Sequence, residues 1–439
     1  MKAIWHLLPL CLVGIIFAGP TSQDKAAPTN KQHLWSLFFG LAPQKRATTL
    51  AQLQTQKEWT VIIYLAADNN LHDEAYLNLE QMKTVGSSEH ANILAYLDVT
   101  DPDQGKVGLQ LFVEKNNIVI LGTEPLADSG SADTFANAIL QAIQKYPSQH
   151  LAIIMWNHGA GDLSPARQIF PRVGVCFDDT CDTYLDDAKL KDAFGRILKA
   201  RKGKKIDIIL FDACLMAGTA TAWLMHPFAD YMVASEQTIP GDGFPYQEIL
   251  KPFAKGVVNS ETIVKNMVKC YQKCYATLAP DYTSSAFKLS AVPSIAQNID
   301  TLARLLSNAL KQQVKNSVSK MIKAARKPTI CMHFDEPSYV DLYALYANLL
   351  TGLPTIDLGD KKKTAAMKAA LQKTLQDGRK ALKTLIAANA CGGLFKDAGG
   401  LSIFFPDTKN DDPTYAAYAK TEFAKNNYWL TFLKTYGTL

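Results

Sequence analysis

The sequence predicts an α/β fold in which helices cover both faces of a mainly parallel β-sheet. Short apolar runs rich in β-branched residues, typical of strands buried in a parallel sheet, recur along the chain. They lie at 60–66, 92–98, 151–156 and 206–211. Segments with apolar residues at helical spacing separate several of these runs, and this alternation favours a parallel sheet.

Composition supports a globular protein and excludes several classes. The chain has 439 residues, of which 48% are hydrophobic and 20% charged, with a net charge of +5. This balance excludes disorder, collagen and coiled coil as descriptions of the whole chain. The small net charge gives no reason to expect a nucleic-acid partner. The mean hydropathy of −0.05 excludes a polytopic membrane protein.

The first residues differ from the rest of the chain. Residues 1–19 combine Lys2, an apolar stretch at 7–18 and small residues, which is the pattern of a secretory signal peptide. We expect the mature protein to be secreted or periplasmic, with no membrane segment after cleavage, and an uncleaved membrane anchor is the alternative. Residues 20–57 are polar and are interpreted as a linker or pro-segment.

The elements follow in order from the first strand, 60–66. Asp68–Asn70 are expected to cap a helix with apolar residues at 71, 75, 79 and 82. After the second strand, 109–113 and 118–121 resemble a hairpin, and Ser131 or Asp133 begins the next helix. Further helices are expected at 188–199 and 213–225, the latter ending before Pro227.

The C-terminal part is predicted to be more helical. We expect a core over 58–295 and a helical addition over 296–439, which returns a strand at about 400–405 to the core. The helices are predicted at 261–275, 299–325 and 363–388, and the strands at 285–292 and 401–405.

The cysteines are interpreted in the light of export. Eight are present, and Cys11 is expected to leave with the signal peptide, so seven remain. An odd number in an oxidising compartment predicts one free thiol. Two pairings are open, Cys176 with Cys181 and Cys331 with Cys391. No spacing predicts a zinc site.

Two predicted strands end in residues suited to catalysis. His158 follows the strand 151–156 and precedes two glycines, and Cys214 follows the strand 206–211. Sites in open α/β sheets lie beyond the carboxyl ends of strands. Cys214 falls where a helix is expected to begin, and a helix N-terminus lowers the pKa of a thiol. A thiolate beside an imidazole is a nucleophile with a proton donor.

The residues alone leave a plainer interpretation open. A single histidine after a strand is often structural, and a single cysteine is often a small buried apolar residue. The residues by themselves therefore indicate a Cys/His acyl-transfer enzyme without excluding this alternative.

A family resemblance strengthens the catalytic interpretation. W-N-H-G-A-G (156–161) and F-D-A-C-L-M-A (211–217) resemble the two signature motifs of the clostripain family of cysteine peptidases, in the caspase, gingipain and legumain clan. Other segments resemble that family in order and spacing, namely 59–71, 176–180, 185–194, 235–246, 339–342 and 399–406. The resemblance runs from 59 to 406 and implies a caspase-like three-layer sandwich with a helical C-terminal addition.

The resemblance implies a role for each motif residue. Cys214 is the expected nucleophile and His158 the expected acid/base. The backbone N–H groups of Gly159 and Cys214 are the expected oxyanion donors. Cleavage after Arg or Lys is implied, which needs a carboxylate in the substrate pocket. Asp242 matches the family position and Asp212 is a second candidate, although Asp242 also suits a turn and Asp212 a helix cap.

The resemblance also implies self-processing between His158 and Cys214. Arg172 matches the expected region, Arg167 lies nearby, and the basic run 199–205 is an alternative to a plain surface loop. Some relatives depend on calcium, so calcium is a candidate cofactor although none is required. Asp178 and Asp179 are its weak candidate ligands, together with Asp182, Asp186 and Asp187, and a solvated acidic loop is the alternative.

The resulting hypothesis is an exported, monomeric cysteine endopeptidase acting on peptides or proteins with basic residues. Two alternatives remain from the sequence. One is a Cys/His transpeptidase or amidase that uses the same acyl-enzyme. The other is a non-catalytic exported binding protein on a caspase-like fold.

Overall fold

The computed structural model describes residues 56–101, 105–160, 174–407 and 413–438. These residues lie within one compact unit, 43–439. The predicted signal peptide, nearly all of the polar segment 20–57, and Arg167 and Arg172 lie outside the described residues. Within the described part of the chain, no helix is long and apolar enough to span a membrane.

Thirteen strands and fourteen α-helices are present in the described residues. The strands are β1 (Lys57–Ala66), β2 (Ala91–Asp101), β3 (Gly105–Glu114), β4 (Asn117–Pro125), β5 (Ser148–Trp156), β6 (Val175–Asp178), β7 (Thr183–Leu185), β8 (Ile206–Asp212), β9 (Ala229–Ala234), β10 (Thr283–Lys288), β11 (Tyr339–Asp341), β12 (Ile386–Cys391) and β13 (Ser402–Phe404). The helices are α1 (His72–Val85), α2 (Ala132–Lys145), α3 (Asp187–Ala200), α4 (Thr219–Met225), α5 (Tyr246–Ile249), α6 (Lys251–Ala254), α7 (Ser260–Tyr275), α8 (Val292–Gln312), α9 (Ser317–Ala325), α10 (Leu342–Gly352), α11 (Lys361–Leu385), α12 (Pro413–Tyr418), α13 (Glu422–Asn426) and α14 (Trp429–Gly437).

Nine strands form the central sheet, in the order β12-β10-β9-β8-β5-β1-β2-β3-β4. The five middle strands, from β9 to β2, run parallel, and antiparallel pairs close both edges. The predicted α/β fold with a mainly parallel sheet is therefore confirmed.

The sheet is buried on both faces, which makes a three-layer sandwich. Along β1, Ile62 and Tyr64 join one apolar cluster with residues of α2 and α3. The alternate residues Val61 and Ile63 are equally buried but lie outside that cluster. On the opposite face, Trp156 of β5 donates to Asn78 of α1. This period of two, buried on both sides, explains the uninterrupted apolar runs of the sequence.

Three local predictions were wrong. The 213–225 segment is a loop up to Gly218, and α4 covers only its second half. Leu71 occupies the N-cap position of α1 without a side-chain hydrogen bond, so Asp68–Asn70 do not cap that helix. The strand predicted at 285–292 ends at Lys288, and α8 begins at Val292.

The C-terminal region is built into the core. The boundary expected between 295 and 296 falls inside α8. The helix predicted at 299–325 is divided into α8 and α9, because Lys315 and Asn316 adopt left-handed backbone angles. β12, which the sequence did not predict as a strand, joins the central sheet beside β10. β13 pairs with β11 and reaches the core through a hydrogen bond from Ser402 to Ala217.

The described cysteines are all free thiols. They are Cys176, Cys181, Cys214, Cys270, Cys274, Cys331 and Cys391. Neither of the two pairings that the sequence left open, Cys176 with Cys181 or Cys331 with Cys391, is therefore formed. Cys176 and Cys331 are buried residues of the apolar core rather than parts of a cross-link.

Candidate active site

The candidate site lies at the carboxyl ends of β5 and β8. These neighbouring strands are parallel, and Trp156 is paired with Asp212 at their ends. Asn157 continues the contact by donating from its N–H to the Asp212 carbonyl, 3.2 Å away. His158 and Cys214 each lie two residues beyond the last pair. The sheet register therefore brings the two predicted catalytic residues to the same point of the same edge.

The loops that carry these residues touch through Gly159. A Cβ atom at Gly159 would lie 2.4 Å from the Cys214 carbonyl oxygen and 2.8 Å from its nitrogen, far inside contact distance. Only glycine permits this approach of two backbones. The Gly159 N–H lies close enough to the Cys214 thiol to lower its pKa. This glycine accordingly positions a backbone donor at the candidate nucleophile.

The loop after β8 turns sharply at Leu215, whose φ is +62°. A left-handed residue cannot continue into a right-handed helix, which explains why α4 begins only at Thr219. Hydrogen bonds from Leu215 to Gln237 and from Ala217 to Ser235 fix the loop to the segment that follows β9. The predicted lowering of the thiol pKa by a helix N-terminus was therefore wrong.

Burial controls the protonation of Cys214 instead. The thiol is only partly exposed, and this burial raises its pKa. Hydrogen bonds from the N–H groups of Ile239, 3.2 Å from Sγ, and Gly159 oppose the rise. The carboxylates of Asp212 and Asp335 add to it. The raised pKa favours the protonated thiol, so a base is needed to remove its proton during attack.

His158 has a partner that the sequence did not reveal. Its Nε2 lies 2.6 Å from Oδ1 of Asn70, in the turn after β1. The turn is fixed by its neighbour Asn69, which donates to the carbonyls of Ala66 and Phe177 at 2.9 Å each. The motif D-N-N suggested a helix cap, and only the position of β1 beside β5 shows that it serves the histidine.

The sequence profile of the clostripain family of C11 peptidases matches residues 63–436. The chain belongs to the clostripain family. Clostripain from Hathewaya histolytica is 24% identical over 436 residues, covering 85% of this chain and 79% of its own length. The predicted family is thereby confirmed, and the chain is a cysteine-type endopeptidase.

Solved structures of C11 proteases share the fold. An inactive zymogen from Parabacteroides distasonis is 19% identical, with a TM-score of 0.59 over 85% of this chain and 99% of its own. A secreted protease from Bacteroides thetaiotaomicron, in complex with an irreversible peptide inhibitor, is 21% identical. Its TM-score is 0.59 over 84% of this chain and 98% of its own. These similarities confirm the three-layer α/β fold expected for the clostripain family.

Both candidate pocket carboxylates lie near Gly243, since Asp242 precedes it and a Cβ atom there would lie 2.7 Å from Oδ2 of Asp212. Asp212 is buried, and its Oδ2 accepts from the Phe244 N–H at 3.1 Å and the Tyr246 hydroxyl at 2.9 Å. Burial raises the pKa of Asp212 to about 6. Asp242 is exposed in the turn closed by the hydrogen bond from Gly243 to Pro240. Asp212 does not cap α4, so the expected alternative role for it was wrong.

The acidic residues considered as calcium ligands have different structural roles in the protein. Asp186 caps α3 by accepting from the Lys189 N–H, and Asp187 accepts from the Glu422 N–H. Asp178 is fully buried, whereas its neighbour Asp179 is exposed. Calcium proteins use six to eight convergent oxygens. These residues do not converge on one point.

Proposed function

We propose that this clostripain-family member is an exported endopeptidase that cleaves after Arg or Lys through Cys214 and His158. The observation that carries the proposal is the contact of the two strand-end loops at Gly159, which brings a thiol, an imidazole and backbone donors to one edge of the sheet.

The reaction begins with a neutral thiol. His158 takes the proton from Cys214 as Sγ attacks the carbonyl carbon of the scissile bond. The developing oxyanion is held by the N–H groups of Gly159 and Cys214, each contributing roughly 3 kcal/mol. His158 then gives the proton to the leaving amine, which departs. Water hydrolyses the thioester of the acyl-enzyme and restores the thiol.

Asn70 is the proposed orienting partner of His158. Its Oδ1 accepts a hydrogen bond from Nε2–H, at the observed 2.6 Å. This bond leaves Nδ1 as the basic nitrogen that exchanges the proton with Cys214. It also stabilises the imidazolium that forms after proton transfer, as a carboxylate or amide does in related dyads and triads.

Specificity for a basic side chain is assigned to Asp242, with Asp212 as the second candidate. An exposed carboxylate at the turn 240–243 is available to a substrate guanidinium or ammonium group. The Asp212 carboxylate already accepts two internal hydrogen bonds, which favours a supporting role beneath that turn.

Self-processing is proposed within 161–173, with Arg172 as the candidate site. The described residues on either side of this segment, Ala160 and Gly174, are joined by a hydrogen bond of 3.1 Å close to His158, which favours cleavage there by the same molecule. The alternative run 199–205 precedes β8, at the opposite edge of the sheet from Cys214. The seven residues of β8 separate them by about 20 Å, which disfavours that run as a site for cleavage by the same molecule.

The proposed substrates are peptides or unfolded protein segments, because one structural relative is bound to a peptide inhibitor. That relative is also described as secreted, which supports export through residues 1–19. We propose a monomer for the mature protein and no nucleic-acid partner.

The decisive test compares the mature protein with its Cys214→Ala variant on fluorogenic peptides ending in Arg, Lys, Asn, Asp or Ala. Turnover of Arg and Lys peptides is expected, and it is expected to vanish in the variant. A gel of both proteins follows self-cleavage, and sequencing the new N-terminus identifies the site. Turnover retained by Cys214→Ala would overturn the nucleophile.

Asp242→Ala tests the pocket separately, with Asp212→Asn beside it. Asp242→Ala is expected to lose Arg and Lys turnover while its thiol still reacts with iodoacetamide. Unchanged Arg cleavage in that variant would remove Asp242 from the pocket, and a loss confined to Asp212→Asn would transfer the role to Asp212.

A further inference from the structure

A buried lysine lies among three aspartates next to the candidate site. Lys106 Nζ is 2.6 Å from Asp68, 2.7 Å from Asp178 and 3.2 Å from Asp98. The lysine side chain is 4% exposed, and those of Asp98 and Asp178 are fully buried. These four residues, called the Lys106 cluster below, come from β2, β3, β6 and the turn after β1.

The ammonium group takes a position suited to a cation. Three carboxylates cannot remain together in a buried site without a positive charge or protons. Backbone donors reach the same carboxylates, because the Ser129 N–H lies 3.0 Å from both Asp98 and Asp178. In the Lys106 cluster, the protein's own lysine therefore supplies the positive charge that stabilises the buried carboxylates.

The residues around the cluster do not fit a bound calcium ion. Asp178 uses Oδ2 for Lys106 and Ser129 and Oδ1 for the Cys181 N–H. Asp128, which with Asp178 and Cys181 forms a loose group of metal-binding types, accepts from Thr183 and the Gly130 N–H. A hard cation at Asp178 would face the Lys106 ammonium at close range, so repulsion disfavours it.

The cluster fixes the turn that carries the partner of His158. Asp68 accepts from Lys106 and from the Thr100 hydroxyl, at 2.6 Å each. The Asp68 carbonyl accepts from the Asp179 N–H at 2.8 Å, which joins the turn to the end of β6. Asn70 lies two residues after Asp68 and contacts His158. Movement of Asp68 would therefore move the acceptor that orients the imidazole.

We propose that Lys106 is a built-in cation that holds the Asp68–Asn70 turn in place, so that the peptidase needs no calcium there. Lys106 is a positioning residue, since it acts on His158 through Asp68 and Asn70. This inference rests on the proposed role of His158.

The first measurement uses the unaltered mature protein. Its peptide hydrolysis and its thermal unfolding midpoint are compared in excess EGTA and in millimolar calcium chloride. We expect the same rate and the same midpoint in both buffers. A wild-type protein that loses activity or unfolds earlier in EGTA would overturn the inference.

The second measurement uses variants in which the Lys106 side chain is shortened or replaced. Lys106→Ala leaves the three carboxylates around an open space, and in EGTA we expect kcat to fall about 100-fold with KM little changed, because the imidazole is misplaced. Calcium is expected to restore at least about tenfold of that loss and to raise the unfolding midpoint of the variant. Lys106→Met fills the space with an apolar chain and is expected to show no rescue.

Recovery of activity by calcium in Lys106→Ala distinguishes a positioning role from a general loss of stability. Lys106→Met is the control, because it also loses the ammonium group but is not expected to recover activity in calcium. Lys106→Ala that is equally active in EGTA and calcium, at the wild-type level, would overturn the inference. The unfolding midpoints are independent of peptide cleavage. If the chain cleaves no basic peptide, the proposed function fails, while a calcium-stabilised Lys106→Ala beside a calcium-insensitive wild type still supports the built-in cation.

Discussion

The two sides of the candidate site rest on buried carboxyl groups that are neutralised in different ways. On the His158 side, the Lys106 cluster holds three aspartates around an ammonium group. On the Cys214 side, the buried carboxyl groups of Glu236 and Asp341 interact electrostatically with each other. The Gly400 N–H donates to Glu236 at 3.0 Å and the Gly399 N–H to Asp341 at 2.6 Å.

The pKa values of these buried carboxyl groups are shifted in different directions on the two sides. Burial opposes ionisation of Asp68, but hydrogen bonds from Lys106, Thr100 and Thr180 outweigh it and lower its pKa well below the ordinary value. Burial and the neighbouring Asp341 raise the pKa of Glu236 well above its ordinary value. Asp98 lies between these cases, since burial raises its pKa to about 8 despite Lys106. Lys106 therefore keeps Asp68 ionised, whereas the raised pKa values of Asp98 and Glu236 favour their protonated forms.

Each cluster supports one loop of the site. Asp68 precedes Asn70, the partner of His158. Glu236 lies between Ser235 and Gln237, whose carbonyls accept from Ala217 and Leu215 of the Cys214 loop. The histidine side therefore depends mainly on the fixed charge of Lys106, whereas the cysteine side depends mainly on the protonation of Glu236 and so on pH.

The largest effect is expected from Lys106→Met, which removes the cation and leaves the aspartates uncompensated. Breaking a buried ion pair on one side costs about 3–5 kcal/mol. We expect a loss of that size in the free energy of unfolding, measured by urea titration at neutral pH. Lys115→Met changes an exposed lysine in the turn after β3 and is the matched control. A loss below about 1 kcal/mol would contradict the claim that Lys106 stabilises the buried aspartates on the His158 side.

A smaller effect is expected from Asn70→Ala, which removes the acceptor at His158. Loss of orientation of an acid/base group is expected to lower kcat about 10- to 100-fold with KM nearly unchanged. Asn70→Asp keeps an acceptor at the same place and is expected to recover most of the rate. Steady-state kinetics on an Arg peptide measures both variants. Equal rates for Asn70→Ala and the wild type would show that His158 does not depend on Asn70 for its orientation.

The smallest effect is expected from Glu236→Gln and appears as a changed pH dependence of stability. Because the folded pKa of Glu236 is raised, the unfolded chain releases this proton first. Stability therefore falls as pH rises above about 4.5 toward the folded value, by up to about 1.4 kcal/mol per pH unit for one proton. Asp341, whose pKa is raised to about 6, contributes with the same sign.

Glu236→Gln removes one of these protons, so its free energy of unfolding should fall less steeply between about pH 5 and 8. Urea titrations at several pH values measure the slope. The exposed Glu248 provides the control substitution, Glu248→Gln. A slope identical to that of the wild type would mean that Glu236 is ionised in the folded protein, and the contrast between the two sides would disappear.

The sequence alone was sufficient to predict the central sheet and the two candidate catalytic residues that follow its strands. Apolar runs such as 151–156 and 206–211 report burial on both faces directly, and residues that follow such strands share one edge. The sequence alone therefore places His158 and Cys214 together at one edge of the sheet.

The missed features depend on contacts between distant segments. Asn70 resembled a helix cap because its neighbours are cap-forming residues, and its partner is 88 positions away. Lys106 is an ordinary charged residue until β2, β3 and β6 assemble around it. The turn at Leu215 replaced a helix because the chain is fixed by Gln237. Local secondary-structure propensities carry no information about these long-range hydrogen bonds.

The most direct test of the account is the site of covalent labelling by an irreversible peptide inhibitor with Arg at its terminal position. The mature protein is treated, digested and mapped by mass spectrometry, beside Cys214→Ala and His158→Ala. We predict a single adduct on Cys214, none in Cys214→Ala and a much slower reaction in His158→Ala. An adduct on another cysteine, or equal labelling rates with and without His158, would contradict the proposed dyad.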